Sequence, residues 1–377
     1  MEWQWALLLL PVAFLSGWVV ARRKNRKTRR ELRFSNDYFQ GLNYLLNDEQ
    51  DKALEVFLRL VEVDWETVDT SLALATIFRR KGEIDKSIKL HQNLLARPSL
   101  PNAYKGRVLL ELGRDYQLAG WLDRAEGLFN QVLQDAGDAP EALVNLISIY
   151  QQEQEWQSAI NAARRLQKNA NHNLLPTIAQ FHCELAEQAM QQGDSREAEN
   201  LATQALSTDQ ACVRASIILA DVAIERGRYK KAIRFLQQVE MQDSCYLPLV
   251  LDRLVSCFRN LSSLPALINY LQEMEARHPK LLLAPVLADL IREVQGQQAA
   301  YDYLVQNIAH VPTLESMKKL LDIKPPSDDH ADGYLAEVVA KMVRDKTGFQ
   351  CSHCGYAANT LYWLCPSCHT WGGMKPK

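Results

Sequence analysis

The sequence lacks a dominant charge, a catalytic signature and any paired histidines. Forty-three Lys and Arg against 45 Asp and Glu leave a formal net charge of −2, so no global field draws the chain to nucleic acid. Eight histidines are present, none in an HExxH pattern or another paired spacing. No Gly-rich phosphate loop and no GxSxG nucleophile elbow occurs. These absences point away from metalloprotease, nucleotide-hydrolysing and serine-hydrolase chemistry and toward a non-enzymatic protein.

What is present starts with size. The chain has 377 residues, 47% of them hydrophobic, enough for two or more folded units. Four of its eight cysteines lie in one C-terminal stretch: Cys351-Ser-His-Cys354-Gly355, nine residues, then Cys365-Pro-Ser-Cys368. Each two-residue spacer lets the backbone curl so that both thiolates of a hook face one ion. Gly355 supplies the positive φ such a turn often needs. Two hooks make a four-thiolate set suited to tetrahedral Zn²⁺ or a mononuclear iron. The competing reading is two disulfides or four unrelated thiols; paired Cys-x-x-Cys spacing favours a metal. His353 and His369 neighbour ligand cysteines, but four thiolates already complete a tetrahedron. Tyr362, Trp363 and Trp371 are expected to form the module's own small core. So small a module depends on its metal for much of its folding energy. Cys183, Cys212, Cys245 and Cys257 stand singly in helical sequence and read as small packed hydrophobes.

At the other end, Trp3 to Val20 carries no charge. Eighteen helical residues span about 27 Å, enough for a thin bilayer core. Trp3, Trp5 and Trp18 sit where an interfacial aromatic belt would, and seven Arg or Lys follow between Arg22 and Arg30. The positive-inside rule places that basic side in the cytoplasm. A transmembrane anchor is therefore expected over residues 1–21 and a basic juxtamembrane segment over 22–33. A cleaved signal peptide fits poorly, because the basic residues follow the apolar run. Contact with anionic lipid explains the basic run more simply than nucleic acid does.

Between the two ends the sequence repeats. A small residue recurs at Ala53, Ser87, Ala125, Ala159, Ala198, Ala232, Ala266 and Ala300, mostly 34 residues apart. A 34-residue period of helical sequence is the tetratricopeptide (TPR) signature. Twelve residues before the anchor come Gly41, Ala75, Gly113, Ala186, Ala220 and Ala288, where paired helices cross closely. Five before it, Gly82, Gly120, Gly193 and Gly227 suit the turn between helices. The fourth repeat lacks that glycine, and the seventh has Arg253 where Leu is usual. Longer steps near Pro98–Pro101 and Asn171–Pro176 read as inter-repeat insertions. Eight hairpins are thus expected over residues 34–312. A short helix over Leu314–Asp322, a loop over Ile323–Gly333 and a capping helix through Leu335–Val343 fill 313–348, ahead of the metal module at 349–377. The fold class is all-α: a TPR superhelical solenoid with an N-terminal transmembrane helix and a small C-terminal module. In TPR phase Arg79, Arg107 and Arg114 fall on the concave side, where three cations could hold a carboxylate-bearing partner segment; a solvated charged face is the alternative.

The C-terminal residues resemble a rubredoxin: CxxCG, aromatics before the second hook, then CPxC. His369 replaces the usual Gly and the hooks are much closer together, which weakens an expectation of electron transfer. The whole chain resembles the lipopolysaccharide assembly protein B (LapB) family of Gram-negative bacteria. The stretches LLLPVAFLSGW, DYFQGLNYLLNDEQDKALEVFL, LGRDYQLAGWLDRAEGLFNQ and CSHCGYAANTLYWLCPSCHTW carry that likeness. It implies a regulatory adaptor at the inner membrane, single-pass, with the bulk of the chain in the cytoplasm. Implied partners are the membrane protease FtsH, the lipid A deacetylase LpxC and a membrane protein that senses lipopolysaccharide. Other lipopolysaccharide assembly proteins and the lipid around the anchor complete the set, and homo-oligomerisation stays open. The implied cofactor is one iron or zinc ion on Cys351, Cys354, Cys365 and Cys368, in a module packed on the repeats. Two other readings stay open: a scaffold for lipopolysaccharide assembly enzymes without a proteolytic role, and a rubredoxin-like redox protein.

Overall fold

The computed structural model describes residues 68–98, 100–169, 173–279, 281–324, 330–344 and 348–376, with a few positions between 40 and 56. The expected anchor, the basic segment and most of the first repeat lie outside the described residues. Among the described residues no helix is long and apolar enough to cross a membrane.

The chain forms two compact units, Met1–Ile149 and Tyr150–Lys377. The first holds α1 (Val68–Arg80), α2 (Ile84–Leu95), α3 (Asn102–Leu118), α4 (Leu122–Ala136) and most of α5 (Pro140–Gln152). The second holds α6 (Trp156–Asn169), α7 (Leu175–Gln191), α8 (Ser195–Thr208), α9 (Val213–Glu225) and α10 (Tyr229–Asp243). A 3₁₀ turn, Ser244–Tyr246, leads on to α11 (Leu247–Asn260), α12 (Leu264–Arg277), α13 (Ala284–Gln295) and α14 (Gln297–His310). The helices pair as hairpins stacked within each unit, as the 34-residue period predicts.

The small residues do what the period requires. Ser87, Ala125, Ala159, Ala198, Ala232 and Ala300 are all fully buried. Gly113 shows why: a Cβ there would lie 2.6 Å from Cε1 of Phe129, itself fully buried. The four turn glycines all adopt positive φ, between 67° and 82°. In the repeat without one, Gln154 takes the same left-handed turn at φ 59°. The seventh repeat corrects the expected phase. Ala266 is exposed and Leu267 occupies the buried slot, while Ser262 takes the positive φ (51°). A leucine thus replaces the small anchor one position later.

Helix ends follow local chemistry. Asp194 caps α8 by accepting from the amides of Arg196 and Glu197 at 3.1 and 3.0 Å. Proline occupies the first turn of α7, α11, α12 and α13, where its missing N–H costs nothing. The expected insertions lie between α2 and α3 and between α6 and α7.

After the repeats come α15 (Leu314–Ile323), as expected, and α16 (His330–Arg344), which packs on it. The expected loop over Ile323–Gly333 is too long: α16 already runs from His330 through Gly333. Of the apolar residues expected to cap the array, Val339 is buried but Leu335 and Met342 are largely exposed.

The chain ends in a small three-stranded antiparallel sheet, order β2-β1-β3: β1 (Phe349–Cys351), β2 (Ala357–Ala358) and β3 (Met374–Pro376). Its own core is Cys351, Cys365 and Met374 with Phe349, Ala358, Leu361 and Cys368 against them. The three aromatics expected there are elsewhere. Tyr362 is exposed, and Trp363 packs against the large core of the C-terminal repeats.

Candidate metal centre

The two hooks fold alike. In the first, the amide of Gly355 donates to Cys351 O at 2.9 Å and the amide of Cys351 to Tyr356 O at 2.7 Å. In the second, the amide of His369 donates to Cys365 O at 2.9 Å and that of Cys365 to Thr370 O at 3.1 Å. Each turn closes on a left-handed residue, Gly355 at φ 79° and His369 at φ 53°. The departure from glycine at position 369 therefore leaves the turn intact and makes a β-carbon-bearing residue carry its positive φ.

These turns bring four sulfurs together. All four Sγ atoms lie within 4.8 Å of one another. Cys351 and Cys368 are 3.7 Å apart, as are Cys354 and Cys365. That is far beyond a disulfide bond. It matches the edge of a tetrahedron, about 3.8 Å, drawn with metal–sulfur bonds of about 2.3 Å. Gly373 lets the return strand pass close by, since a Cβ there would sit 3.1 Å from Cys351 Sγ. His353 and His369 are exposed and outside this set.

Local dipoles favour thiolates. The amide of Cys354 pulls the Cys351 thiol down, despite some burial. The Thr370 hydroxyl, 3.4 Å from Cys368 Sγ, pulls that thiol to about 6. At Cys354 the amide of Tyr356 acts in the same direction but loses to burial and to three neighbouring thiols, which push the group up to about 11. A cation at the centre reverses that repulsion. The donor set fits a four-coordinate metal held by Cys351, Cys354, Cys365 and Cys368.

The module is seated on the repeats rather than standing free. Trp371 Nε1 donates to Gln151 Oε1 at 2.9 Å. Its ring meets Trp156 and Phe181 edge-on, with centroids 6.2 and 5.9 Å away. Trp363 lies against Tyr246 at 5.6 Å and under the Arg214 guanidinium at 5.8 Å. Tyr246 donates to Met374 O at 2.7 Å, and Lys375 pairs with Asp243. Burial works to raise the Asp243 carboxyl, but the Lys375 ammonium outweighs it and holds the group below its ordinary value. Docking thus engages the end of α5, α6, α7, α9 and the turn after α10, along the N-terminal half of the second unit. A cleft of about 370 Å³ remains beside it, lined by Met190, Ile217, Leu249, Leu361, Trp363 and Arg253 among others.

The three arginines expected in a binding groove are all engaged within the first unit. Arg79 pairs with Glu111 at 2.5 Å and Asp115 at 3.1 Å. Arg114 pairs with Glu111 at 2.6 Å and Glu141 at 2.7 Å, and Arg107 with Asp69 at 2.8 Å. Asp115 is fully buried and also accepts from Ser87 at 2.7 Å and contacts His91 Nδ1 at 2.6 Å. The serine at anchor 87 is thereby explained. Arg253, odd for its repeat position, forms a two-pronged pair with Asp221. Of the single cysteines, Cys183, Cys212 and Cys257 are buried as expected, while Cys245 is exposed.

Comparison with known proteins agrees with this geometry. The rubredoxin metal binding domain family matches residues 349–376, and the tetratricopeptide repeat family matches 189–244. Lipopolysaccharide assembly protein B of Escherichia coli K12 is 36% identical over 376 residues, covering 98% of this chain and 97% of that protein. The chain belongs to the lipopolysaccharide assembly protein B family. The Haemophilus influenzae member is 31% identical over 386 residues, with the same coverage. Among solved structures, a tetratricopeptide repeat protein from Parabacteroides merdae aligns with 73% of this chain and 99% of its own, at 15% identity and a TM-score of 0.33, too distant to decide anything further.

Proposed function

We propose that this protein is a non-enzymatic adaptor of lipopolysaccharide biosynthesis that promotes degradation of LpxC by FtsH. Residues 1–21 hold it in the inner membrane, single-pass, with the bulk of the chain on the cytoplasmic side. Tethering raises its effective concentration near a membrane protease. The repeats bind proteins, and one iron or zinc ion on the four cysteines keeps the C-terminal module folded.

The observation that carries this reading is the seating of the module through Trp371, Trp363 and Tyr246 on repeat helices. A four-thiolate module held against a scaffold by aromatic anchors makes a clasp, the behaviour of a closed structural site. Family membership supplies the lipopolysaccharide context. Arg79, Arg107 and Arg114 reach a partner's carboxylate by exchanging their present ion pairs, Arg107 most readily because it is the most exposed. Charge reversal at Arg107 and Arg114 together is expected to weaken partner capture.

The test is the half-life of LpxC in cells with and without the protein. Loss of the protein is expected to lengthen it several-fold. An unchanged half-life would favour a scaffold that gathers assembly enzymes without touching proteolysis.

A further inference from the structure

Outside the metal centre, one other pair of cysteine sulfurs is in contact among the described residues. Cys183, on α7, and Cys212, at the start of α9, have Sγ atoms 3.7 Å apart. Both are buried, at 0% and 3% exposure. They meet because α7 and α9 approach across small side chains, with Ala179, Ala186 and Ala215 in the same cluster. The remaining buried single thiol, Cys257, has no sulfur beside it among the described residues.

Two core cysteines in contact serve as small hydrophobes well enough. The dressing of Cys212 is what a packing role does not require. Gln180 Nε2 points at its sulfur from 3.8 Å. It stands at the N-cap of α9; the contact with Cys183 lowers its pKa against the opposing effect of burial, and the Ala215 amide and the Arg214 guanidinium act in the same direction as that contact. Cys183 is pushed the other way, chiefly by burial. A thiol at a helix N-terminus in contact with a second thiol inside the core is the arrangement of an attacking and a resolving cysteine. A groove of about 650 Å³, lined by Gln210 and Ala211 immediately before Cys212, brings solvent to the neighbouring residues but not to either sulfur.

We propose that Cys183 and Cys212 are a modification site: a dithiol that hydrogen peroxide converts reversibly to a disulfide. The Cys212 thiolate attacks the peroxide, the O–O bond breaks, and the sulfur becomes a sulfenic acid as hydroxide (water, once protonated) leaves. The Cys183 thiol then attacks that sulfur, gives up its proton, and a second water departs. Two thiols lose two electrons and two protons, and the peroxide becomes two waters. The bond staples α7, which carries Phe181, to the start of α9, which carries Arg214. Those two side chains meet Trp371 and Trp363, so the staple lies within the platform on which the metal module sits.

The experiment uses the metal-loaded full-length protein, titrated with hydrogen peroxide, quenched with an alkylating reagent under denaturing conditions, digested without reductant and mapped by mass spectrometry. A 183–212 cross-linked peptide is expected at lower peroxide than any modification of Cys257, and dithiothreitol should erase it. In Cys183→Ser, with Cys183→Ala as a second variant, Cys212 is expected to accumulate as a sulfenic acid that dimedone traps. The proposal is overturned if both cysteines remain free thiols when exposed Cys245 has been oxidised. It is equally overturned if Cys212 stays unmodified in variants that retain their metal and their helical spectrum.

Discussion

Tyr246 donates its hydroxyl hydrogen to the carbonyl of Met374 at 2.7 Å, joining the turn after α10 to the last strand of the metal module. Both residues are buried, so the bond has no water to replace it. Burial, then the nearby Asp243 carboxylate, raises the phenol well above its ordinary value, which keeps it a donor at any physiological pH. Tyr246→Phe keeps the ring against Trp363 and removes this bond together with the longer one, 3.3 Å, to Gly372 O. The expected cost to docking is about 1–3 kcal/mol, the penalty for an unsatisfied buried acceptor. Hydrogen exchange of residues 371–376 should speed up accordingly, with metal content unchanged.

Trp371 is the second anchor. Trp371→Ala loses the indole bond to Gln151 and both edge-on ring contacts. A loss of about 2 kcal/mol of docking is expected for a half-buried aromatic anchor of this kind. Hydrogen exchange of residues 372–376 reads it, with faster exchange expected as the module undocks.

Gly113 and Phe129 test the helix crossing. Gly113→Ala gains up to about 1 kcal/mol of helix propensity. The added Cβ meets a fully buried ring at 2.6 Å, and overpacking of that kind costs about 1–3 kcal/mol. A net loss in urea unfolding is therefore expected, turning to a gain when Phe129→Leu is combined with it.

His369 holds its turn at φ 53°. His369→Gly removes the left-handed penalty while loosening the unfolded chain, so the two effects, each about 1 kcal/mol, nearly offset. The expected outcome is unchanged metal affinity in competition with a chelator. A large loss would show that the imidazole does more than close the turn.

Glu111 gives the first unit its acid sensitivity. Burial alone would raise its carboxyl, but the bond to Arg79 and the charge of Arg114 together hold it below the ordinary value. The folded pKa is thus lower than the unfolded value of about 4.3. Its contribution to stability is complete above that pH and is lost as pH falls through the folded value. Glu111→Gln should flatten this part of the acid limb in urea midpoints followed against pH.

The period, the turn glycines and the cysteine hooks were legible in the sequence because each is a local rule: a small residue at a crossing, a positive φ at a turn, two thiols on one ion. Trp363 and Trp371 were misplaced because adjacency in sequence to the ligands says nothing of which surface the rings cover. Their partners, Gln151, Phe181 and Tyr246, lie more than a hundred residues away. Leu267 in place of Ala266 was missed since a one-residue slip leaves the 34-residue step looking intact. The three arginines could be picked out in the sequence but their ion pairs could not, because the acids on neighbouring helices belong to other repeats, and only the folded stack brings Arg79 to Asp115 or Arg114 to Glu141.

The most direct test of the whole account measures metal content and LpxC half-life together in cells carrying the Cys351→Ser, Cys354→Ser double variant. The expected outcome is a protein that has lost its metal and an LpxC half-life lengthened to that of cells without the protein. Metal loss with LpxC turnover still normal would contradict it, because the clasp would then be dispensable.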